Sequence, residues 1–327
     1  MAGTFAHIGL VDSLCQDADT LDGIATLTPA MKRALMTFNN FCELGAISPD
    51  APYLQVLSKD AARWANVMHY WKTADFIRRA IPRVYKMNFG QTNTKKCFAW
   101  LFGYTAHLVT DFTVHPVLNL KVGDYKDNPL KHRICELNQD VYIFAQLNFG
   151  DISTAEFLKF ESGGIASCAD ESDDDKLDPA VRELWRYCLS GDPLASIKMK
   201  DKLPAPQKFP NPDAWFDQYV TMIDKFAEEG NRFPWLCRRI AEDEGLIYPR
   251  LNEVDQSFIQ NLKLPDGTTA SYDGVFKRVR QNVIASWRDL GNALDNGDPS
   301  LFTLPNGDLD TGLADDTQQS IFWSATV

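Results

Sequence analysis

The chain has 327 residues, of which 45% are apolar and 24% are charged, and its formal net charge at pH 7 is −11. This length and apolar content support a sizeable hydrophobic core, which excludes a disordered protein. The negative charge, with no Lys/Arg-rich block to offset it, disfavours binding to duplex nucleic acid through its phosphates.

Cysteine use and the N-terminus bear on the cellular compartment. The seven cysteines are scattered, odd in number and without a C-x-x-C pair, so neither a disulfide framework nor a cysteine-type zinc finger is expected. The opening "MAGTFAHIGL" lacks a basic segment followed by an apolar run, so we expect no secretory signal peptide. The longest uncharged stretch, "CFAWLFGYTAHLVT", is too short to span a bilayer. We therefore expect synthesis in the cytoplasm and no transmembrane segment.

The first half of the chain predicts an all-α fold. Pro, Gly and Asp separate segments of helical character, and almost no sustained apolar-polar alternation marks strands. One helix is predicted from about Ser58 to Ala80, ending before Pro82. A second should begin near Asn93 or Thr94 and end at the His115-Pro116 pair, because proline disfavours helical geometry at the residue before it.

A third helix should begin at the cap Asn128, with Pro129 in its first turn, and run to Gly150. The segment from Ser162 to Pro179 combines small residues with an acidic run and predicts an exposed loop.

The second half predicts two more amphipathic helices, Asp213 to Glu229 and Tyr272 to Leu290, followed by a turn-rich tail from Asn296. We predict an all-α domain over residues 1–260 and a C-terminal extension over 261–327. In the tail, the Asp308 and Asp310 pair lacks the rest of a calcium loop and indicates calcium only weakly. Four aromatic or apolar side chains on one side of the first helix are expected in the core: Trp215, Tyr219, Met222 and Phe226.

All five histidines fall within the first 132 residues, and several share a spacing: His7, His69, His107, His115 and His132. Residues four apart on a helix share a face, so the side chains of His107 and Asp111 can converge, with His115 one turn further. His132 and Glu136 repeat this arrangement on the next predicted helix, and Asp140 continues the stripe. Imidazole nitrogen with carboxylate oxygen suits zinc, and manganese or iron less specifically.

An ordinary structural role is the alternative for each pair. A His/Asp pair four apart is often an exposed helix contact, and a histidine on an apolar face is often a hydrogen-bonded core residue. The apolar neighbours of His107 in "FGYTAHLV" make an unpaired polar group costly, so partners are expected. Two such pairs on consecutive helices favour a metal centre.

The ordered series of these residues resembles the zinc-dependent phospholipase C family, all-helical enzymes with a trinuclear zinc site and fold relatives among single-strand-specific nucleases. The resemblance covers roughly the first 150 residues. Each ligand position of the family pattern has a candidate in the same order: His7, Asp50, His69, His107, Asp111, His115, His132 and Glu136.

The resemblance implies two or three zinc ions. Asp50, His69, His107 and Asp111 would hold one ion, His115, His132 and Glu136 another, and His7 a third that shares Asp111. It also implies that Asp50 orients or deprotonates the attacking water. Secreted members use their mature N-terminal amine at the third ion; here only six residues precede His7, which departs from that pattern.

Further residues near the ligands have open roles. Asn66, Asp75 and Asp140 are candidates to orient the imidazoles, although ordinary solvated positions are equally compatible with the sequence. The aromatic residues Tyr53, Trp71 and Tyr104 are near ligands in sequence, as chance also predicts, so no head-group site is assigned to them.

The resemblance thus predicts a zinc-dependent phospholipase C acting on phosphatidylcholine-like lipids at a membrane surface. The domain over residues 1–260 would be its metal-binding catalytic domain, with the ligands within 1–140. The alternatives are a nuclease or other phosphoesterase of the same fold, and a non-catalytic helical protein with structural zinc. A phospholipase active in its own cytoplasm threatens its own membrane, so we expect export by a signal-independent secretion system, as an effector acting on another cell. The alternatives are an inhibited cytosolic enzyme and a substrate whose hydrolysis does no harm.

Overall fold

Helices carry the architecture of this protein. Its computed structural model describes residues 3–55, 57–149, 164–190, 206, 208–228 and 248–323. Within those residues, the strands form small two-stranded antiparallel sheets, and an isolated bridge joins Leu313 and Ser320. The predicted all-α class is therefore confirmed.

The helices are α1 Thr4–Gln16, α2 Ala18–Gly23, α3 Pro29–Thr37, α4 Asn39–Ile47, α5 Lys59–Tyr70, α6 Thr73–Tyr85, α7 Thr92–Val122, α8 Pro129–Gln146, α9 Pro179–Leu189, α10 Pro212–Glu228 and α11 Tyr272–Asn296. Short 3-10 helices cover Ala51–Leu54, Leu251–Glu253, Gln256–Phe258 and Pro299–Leu301. The strands pair as three hairpins: β1 Ala169–Asp170 with β2 Asp173–Leu177, β3 Leu262–Lys263 with β4 Thr269–Ala270, and β5 Gly307–Asp308 with β6 Leu313–Ala314.

Helix α7 is the centre of the core, and every residue from Cys97 to Leu118 is buried. Helix α4 crosses it closely where Gly45 meets Gly103. A Cβ atom on Gly103 would lie 1.8 Å from the carbonyl oxygen of Cys42, and one on Gly45 would lie 2.0 Å from that of Trp100. Only glycine permits this approach, which brings the backbone of α4 against the middle of α7.

Helix α11 covers another side of α7. The Trp287 indole N–H donates to the Phe102 carbonyl oxygen at 3.0 Å, and the Asn282 amide donates to the Thr113 hydroxyl at 3.1 Å. The C-terminal extension is therefore packed on the helix that carries the predicted ligands. The domain division at residue 260 stays a prediction.

The single helix predicted over 58–80 is wrong, because two helices occupy this stretch. The chain breaks at Lys72, whose φ of 47° is left-handed. Helix α6 then restarts, and the Asn306 side-chain oxygen accepts from the N–H groups of Ala74 and Asp75 at 3.0 and 2.9 Å. A partner 230 residues away thus satisfies donors at the start of α6, and the helix continues through Pro82.

The predicted end of the second helix at His115 is also wrong. Helix α7 continues through Pro116 to Val122 and ends at Gly123, whose φ is 88°. Pro116 has no N–H to donate to the Phe112 carbonyl, so one helical hydrogen bond is missing. The helix is nevertheless enclosed by packing on several sides. Tertiary packing therefore outweighs the local preference of proline.

The remaining elements follow the prediction more closely. Helix α8 begins at Pro129 after the cap Asn128, as predicted, but ends at Gln146 rather than near Gly150. Helix α10 occupies the predicted region, whereas α11 begins at Tyr272 as predicted and continues to Asn296, beyond the predicted end at Leu290. Gly150 and the side chains of Met222 and Phe226 lie outside the described residues. Trp215 and Tyr219 are buried, as expected. The acidic stretch, described from residue 164, forms the hairpin β1–β2 rather than a plain loop. Among the described helices, none is both long and apolar enough to span a bilayer.

Candidate metal centre

Asp111 is at the centre of a buried cluster of imidazoles. Its side chain is fully buried, and its two oxygens face different histidines. Oδ1 lies 3.3 Å from His7 Nε2 and 3.5 Å from His115 Nε2. Oδ2 lies 3.3 Å from His107 Nε2 and 4.0 Å from His69 Nε2. One carboxylate therefore connects helices α1, α5 and α7.

Asp50 is the second carboxylate of the cluster and lies beside His69 and His107. Its Oδ1 lies 3.0 Å from His69 Nε2 and 3.9 Å from His107 Nε2. Two groups, His7 with His107 and Asp111, and Asp50 with His69 and His107, each bring their ligand atoms within 4.8 Å of one another. Two ligands bonded at 2.0–2.1 Å to one tetrahedral zinc are about 3.3 Å apart, so these spacings fit a metal.

Backbone carbonyls fix the orientation of three rings. The Nδ1–H groups of His69, His107 and His115 donate to the carbonyl oxygens of Ala65, Ala46 and Leu309, each at 2.8 Å. A carbonyl only accepts, so each neutral ring presents the lone pair of Nε2 to the cluster. The Nε2 atoms of His7, His107 and His115 are buried without a hydrogen-bond partner. Unpaired buried nitrogens beside carboxylates are the donor set that zinc takes.

Protonation supports ligation. Burial alone raises the pKa of Asp111, but the imidazoles of His115 and His107 outweigh it and hold the pKa well below its ordinary value. Burial likewise opposes ionisation of Asp50, yet His107 and His69 lower its pKa. Burial lowers the pKa of His115. The carboxylates are therefore ionised and His115 is neutral near neutral pH, which are the ligating forms.

His132 and Glu136 are placed differently from the other predicted ligands. His132 Nε2–H donates to the Gly123 carbonyl oxygen at 2.5 Å, which leaves its buried Nδ1 without a hydrogen-bond partner. Glu136 Oε2 lies 3.6 Å from Arg133. Within the described residues, these two do not form a close ligand group with His115, although the Glu136 charge acts on His115. Their place at a second zinc stays a prediction, in which His132 would bind through Nδ1.

Asp140 holds the helix that carries His7. Its carboxylate accepts from the backbone N–H groups of Ala6 at 2.8 Å and Phe5 at 3.3 Å, at the start of α1. The Tyr248 hydroxyl also donates to it at 3.2 Å. Asp140 therefore positions His7 through the backbone of α1 rather than by contact with an imidazole.

The titration of Asp140 gives a pH prediction. Burial raises its pKa to about 7, against the lowering effect of the N–H donors, whereas an unfolded aspartate titrates near ~3.9. The folded chain therefore holds an extra proton between about pH 4 and 7, so this group's contribution to stability falls as pH rises through that window.

Asp140→Asn abolishes this titration. We compare the stability advantage of wild type, which is its unfolding free energy minus that of the variant. This advantage should be a few kcal/mol larger at pH 5 than at pH 7.5, because each unit of pKa shift corresponds to roughly 1.4 kcal/mol. Urea unfolding of both proteins, stripped of metal, measures the difference. An identical difference at the two pH values would contradict the role given to Asp140.

The other candidates for orienting the imidazoles have different partners. The Asn66 side-chain oxygen accepts from the Tyr53 hydroxyl at 2.8 Å, and Asp75 pairs with Arg78 at 2.8 Å. Neither is bonded to a histidine among the contacts described. Of the aromatic candidates, Tyr53 lies beside His69 with ring centroids 5.4 Å apart, whereas Tyr104 is buried and stacks on Phe76 at 4.1 Å. Trp71 directly follows α5 and lines the same cavity as Tyr104.

Two site residues lie where sequence reasoning did not find them. Leu309 accepts from His115, and Asp310 Oδ1 lies 3.7 Å from His115 Nδ1. They are almost 200 positions from His115, and no spacing links them to the histidines. The one signal was the pair Asp308 and Asp310, which the sequence connected only with calcium.

Comparison with known families adds an independent finding. Residues 17–191, more than half of the chain, match the family model described as zinc dependent phospholipase C. No curated protein and no solved structure matches the chain significantly. The matched segment contains seven of the eight predicted ligands, and His7 precedes it.

Proposed function

The chain belongs to the zinc-dependent phospholipase C family, and from this we propose that it hydrolyses phosphatidylcholine-like phospholipids to diacylglycerol and a phosphorylated head group. Membership of this family supports phosphodiesterase activity of the phospholipase C type. The head group and the number of ions, two or three, are our proposal.

The observation that carries the proposal is that the two oxygens of the Asp111 carboxylate face different histidines. Oδ1 faces His7 and His115 and Oδ2 faces His107 and His69, which supports two adjoining cations that share this carboxylate. Paired zinc ions, when bound, clamp a phosphodiester and stabilise both the attacking and the leaving oxygen. The described groups contain no cysteine, whereas structural zinc sites are usually cysteine-rich and closed.

Asp50 differs from the other residues of the two ligand groups in exposure. Its side chain is 13% exposed, whereas those of His7, His69, His107 and Asp111 are 0–1% exposed. Because its pKa is lowered, Asp50 is ionised at neutral pH and can accept a hydrogen bond from a water molecule entering from solvent. This supports Asp50 as the residue that orients and deprotonates the attacking water.

A comparison of substrates tests the proposal. We expect wild type to release phosphorylated head group from short-chain phosphatidylcholine faster than it cleaves single-stranded DNA, and His107→Ala to abolish the lipid activity because each ligand group includes His107. Thr110→Ala is the matched control on α7, since its hydroxyl bonds only the Ala106 carbonyl within the same helix. Faster DNA cleavage would assign the site to a nuclease, and bound zinc without turnover of either substrate would assign it to a binding protein.

We also propose that the enzyme acts outside the cell that makes it, through signal-independent export. The reason is chemical: its substrate is the material of the producer's own membrane. Immunodetection in culture supernatant of intact cells tests this, and retention of all the protein inside the cells would refute it.

A further inference from the structure

The segment Asn306–Ala314, which we name the C-terminal clasp, packs directly on two of the predicted zinc ligands. The Leu309 N–H donates to the His69 carbonyl oxygen at 3.0 Å, and the Leu309 carbonyl oxygen accepts from His115 Nδ1–H at 2.8 Å. Leu309 itself is completely buried. One residue of the clasp therefore bonds the end of α5 and the C-terminal third of α7.

Asp310 adds a carboxylate to the same contact. Its Oδ2 accepts from the Tyr70 hydroxyl at 2.6 Å, and its Oδ1 lies 3.7 Å from His115 Nδ1. Its backbone carbonyl accepts from the Asn119 amide at 2.7 Å, one turn beyond His115. Tyr70 is the residue after His69, so Asp310 contacts a neighbour of each ligand. A carboxylate beside the outer nitrogen of an imidazole ligand fixes the ring and raises its basicity.

The clasp is built as a fixed piece of structure. Thr73 donates to the Gly307 carbonyl and accepts from its N–H, both at 3.1 Å, while Asn306 bonds the first N–H groups of α6. Asp308 Oδ1 accepts from the N–H groups of Asp310 and Thr311 at 2.9 and 3.1 Å and so shapes the turn. Gly312, at a φ of 67°, packs where a Cβ would lie 2.5 Å from Pro116. These contacts hold Leu309 and Asp310 against the site.

We propose that the clasp is part of the metal centre, and that Leu309 and Asp310 are positioning residues for His115 and His69. This inference rests on the proposed function, since it presumes that the two histidines bind zinc. The clasp lies far beyond residue 191, where the family match ends, so it is a feature that this chain adds to the matched segment. The C-terminal extension thereby sets the zinc affinity of the site.

Zinc affinity of the full-length protein tests the inference, measured by competition with a chromophoric chelator. Asp310→Asn keeps the size of the side chain and removes its charge, and we expect zinc to bind about 10- to 100-fold more weakly. Asp316→Asn, an exposed aspartate just beyond the clasp, is the matched control and should bind zinc like wild type. Asp310→Glu should recover part of the affinity.

A spectroscopic readout separates positioning from general stability. In cobalt-substituted protein, the visible absorption bands should change in Asp310→Asn and stay unchanged in Asp316→Asn. If Asp310→Asn fails to fold, Tyr70→Phe removes the hydrogen bond to Asp310 Oδ2 while keeping the ring, and it should also weaken zinc binding.

The outcomes distinguish a failure of this inference from a failure of the proposed function. The inference would be overturned if folded Asp310→Asn kept the zinc affinity and the cobalt spectrum of wild type. Tyr70→Phe takes its place in this test if Asp310→Asn does not fold. Either result would leave the proposed function intact. Wild type that binds no zinc would overturn the proposed function and this inference with it.

Discussion

Asp111→Asn is expected to reduce lipid turnover by about three orders of magnitude or more, because the two cation positions that we propose share this carboxylate and both would lose an anionic ligand. Oδ1 faces His7 and His115, and Oδ2 faces His107. An amide has one oxygen, so at least one set of histidines then meets an N–H₂ group. The loss should therefore exceed that from removing a ligand that serves one position.

Zinc content and turnover measured on the same preparation check this prediction. Asp12→Asn is the matched control, because Asp12 is also a buried aspartate, yet it accepts from Gln16 and Asn39, both at 2.6 Å. We expect that control to keep its zinc and its activity. Full activity of Asp111→Asn, with a normal zinc content, would exclude a shared carboxylate.

Gly103→Ala should have the largest effect on stability, lowering the unfolding free energy by about 3 kcal/mol or more, since overpacking against backbone forces the helices apart. The added Cβ would lie 1.8 Å from the Cys42 carbonyl oxygen and 2.8 Å from the Ala46 nitrogen. Neither atom belongs to a flexible side chain, so α4 and α7 must separate. Urea unfolding measures the change.

The same substitution should weaken zinc binding. The Ala46 carbonyl oxygen on α4 accepts from His107 Nδ1–H at 2.8 Å, and moving α4 away breaks the bond that orients the ring. Gly23→Ala is the control, since a Cβ there meets no atom within 4 Å. That variant should be as stable as wild type or slightly more so. Wild-type stability of Gly103→Ala would show that the helix crossing is not as close as described.

The fold was predictable where local signals coincide with the final structure. The Asn128-Pro129 pair marks the start of α8 as expected, because a proline in the first turn needs no helical acceptor. Pro116 and Pro82 failed as stop signals, because α7 is buried throughout residues 97–118 and the apolar face of α6 is buried, so tertiary packing holds both helices together at their prolines. The break at Lys72 depends on Asn306, which no local pattern reveals.

The candidate site was likewise predictable only where a local spacing determines it. The convergence of His107 and Asp111 was predictable because their spacing on α7 fixes a shared face, and the two side chains meet at 3.3 Å. The orienting groups were not, because Ala46, Ala65 and Leu309 contribute backbone carbonyls, which carry no residue signature. Asp310 reaches His115 only through the path of the C-terminal chain.

The most direct test of the central claim, a zinc centre that hydrolyses phospholipid, is metal removal and return. Purified protein is analysed for zinc by mass spectrometry and assayed on short-chain phosphatidylcholine, before chelation, after chelation and after zinc is restored. We predict two or three zinc ions per chain, loss of turnover on chelation and recovery with zinc. Protein without metal, or lipid turnover that persists unchanged after complete zinc removal, would contradict the claim.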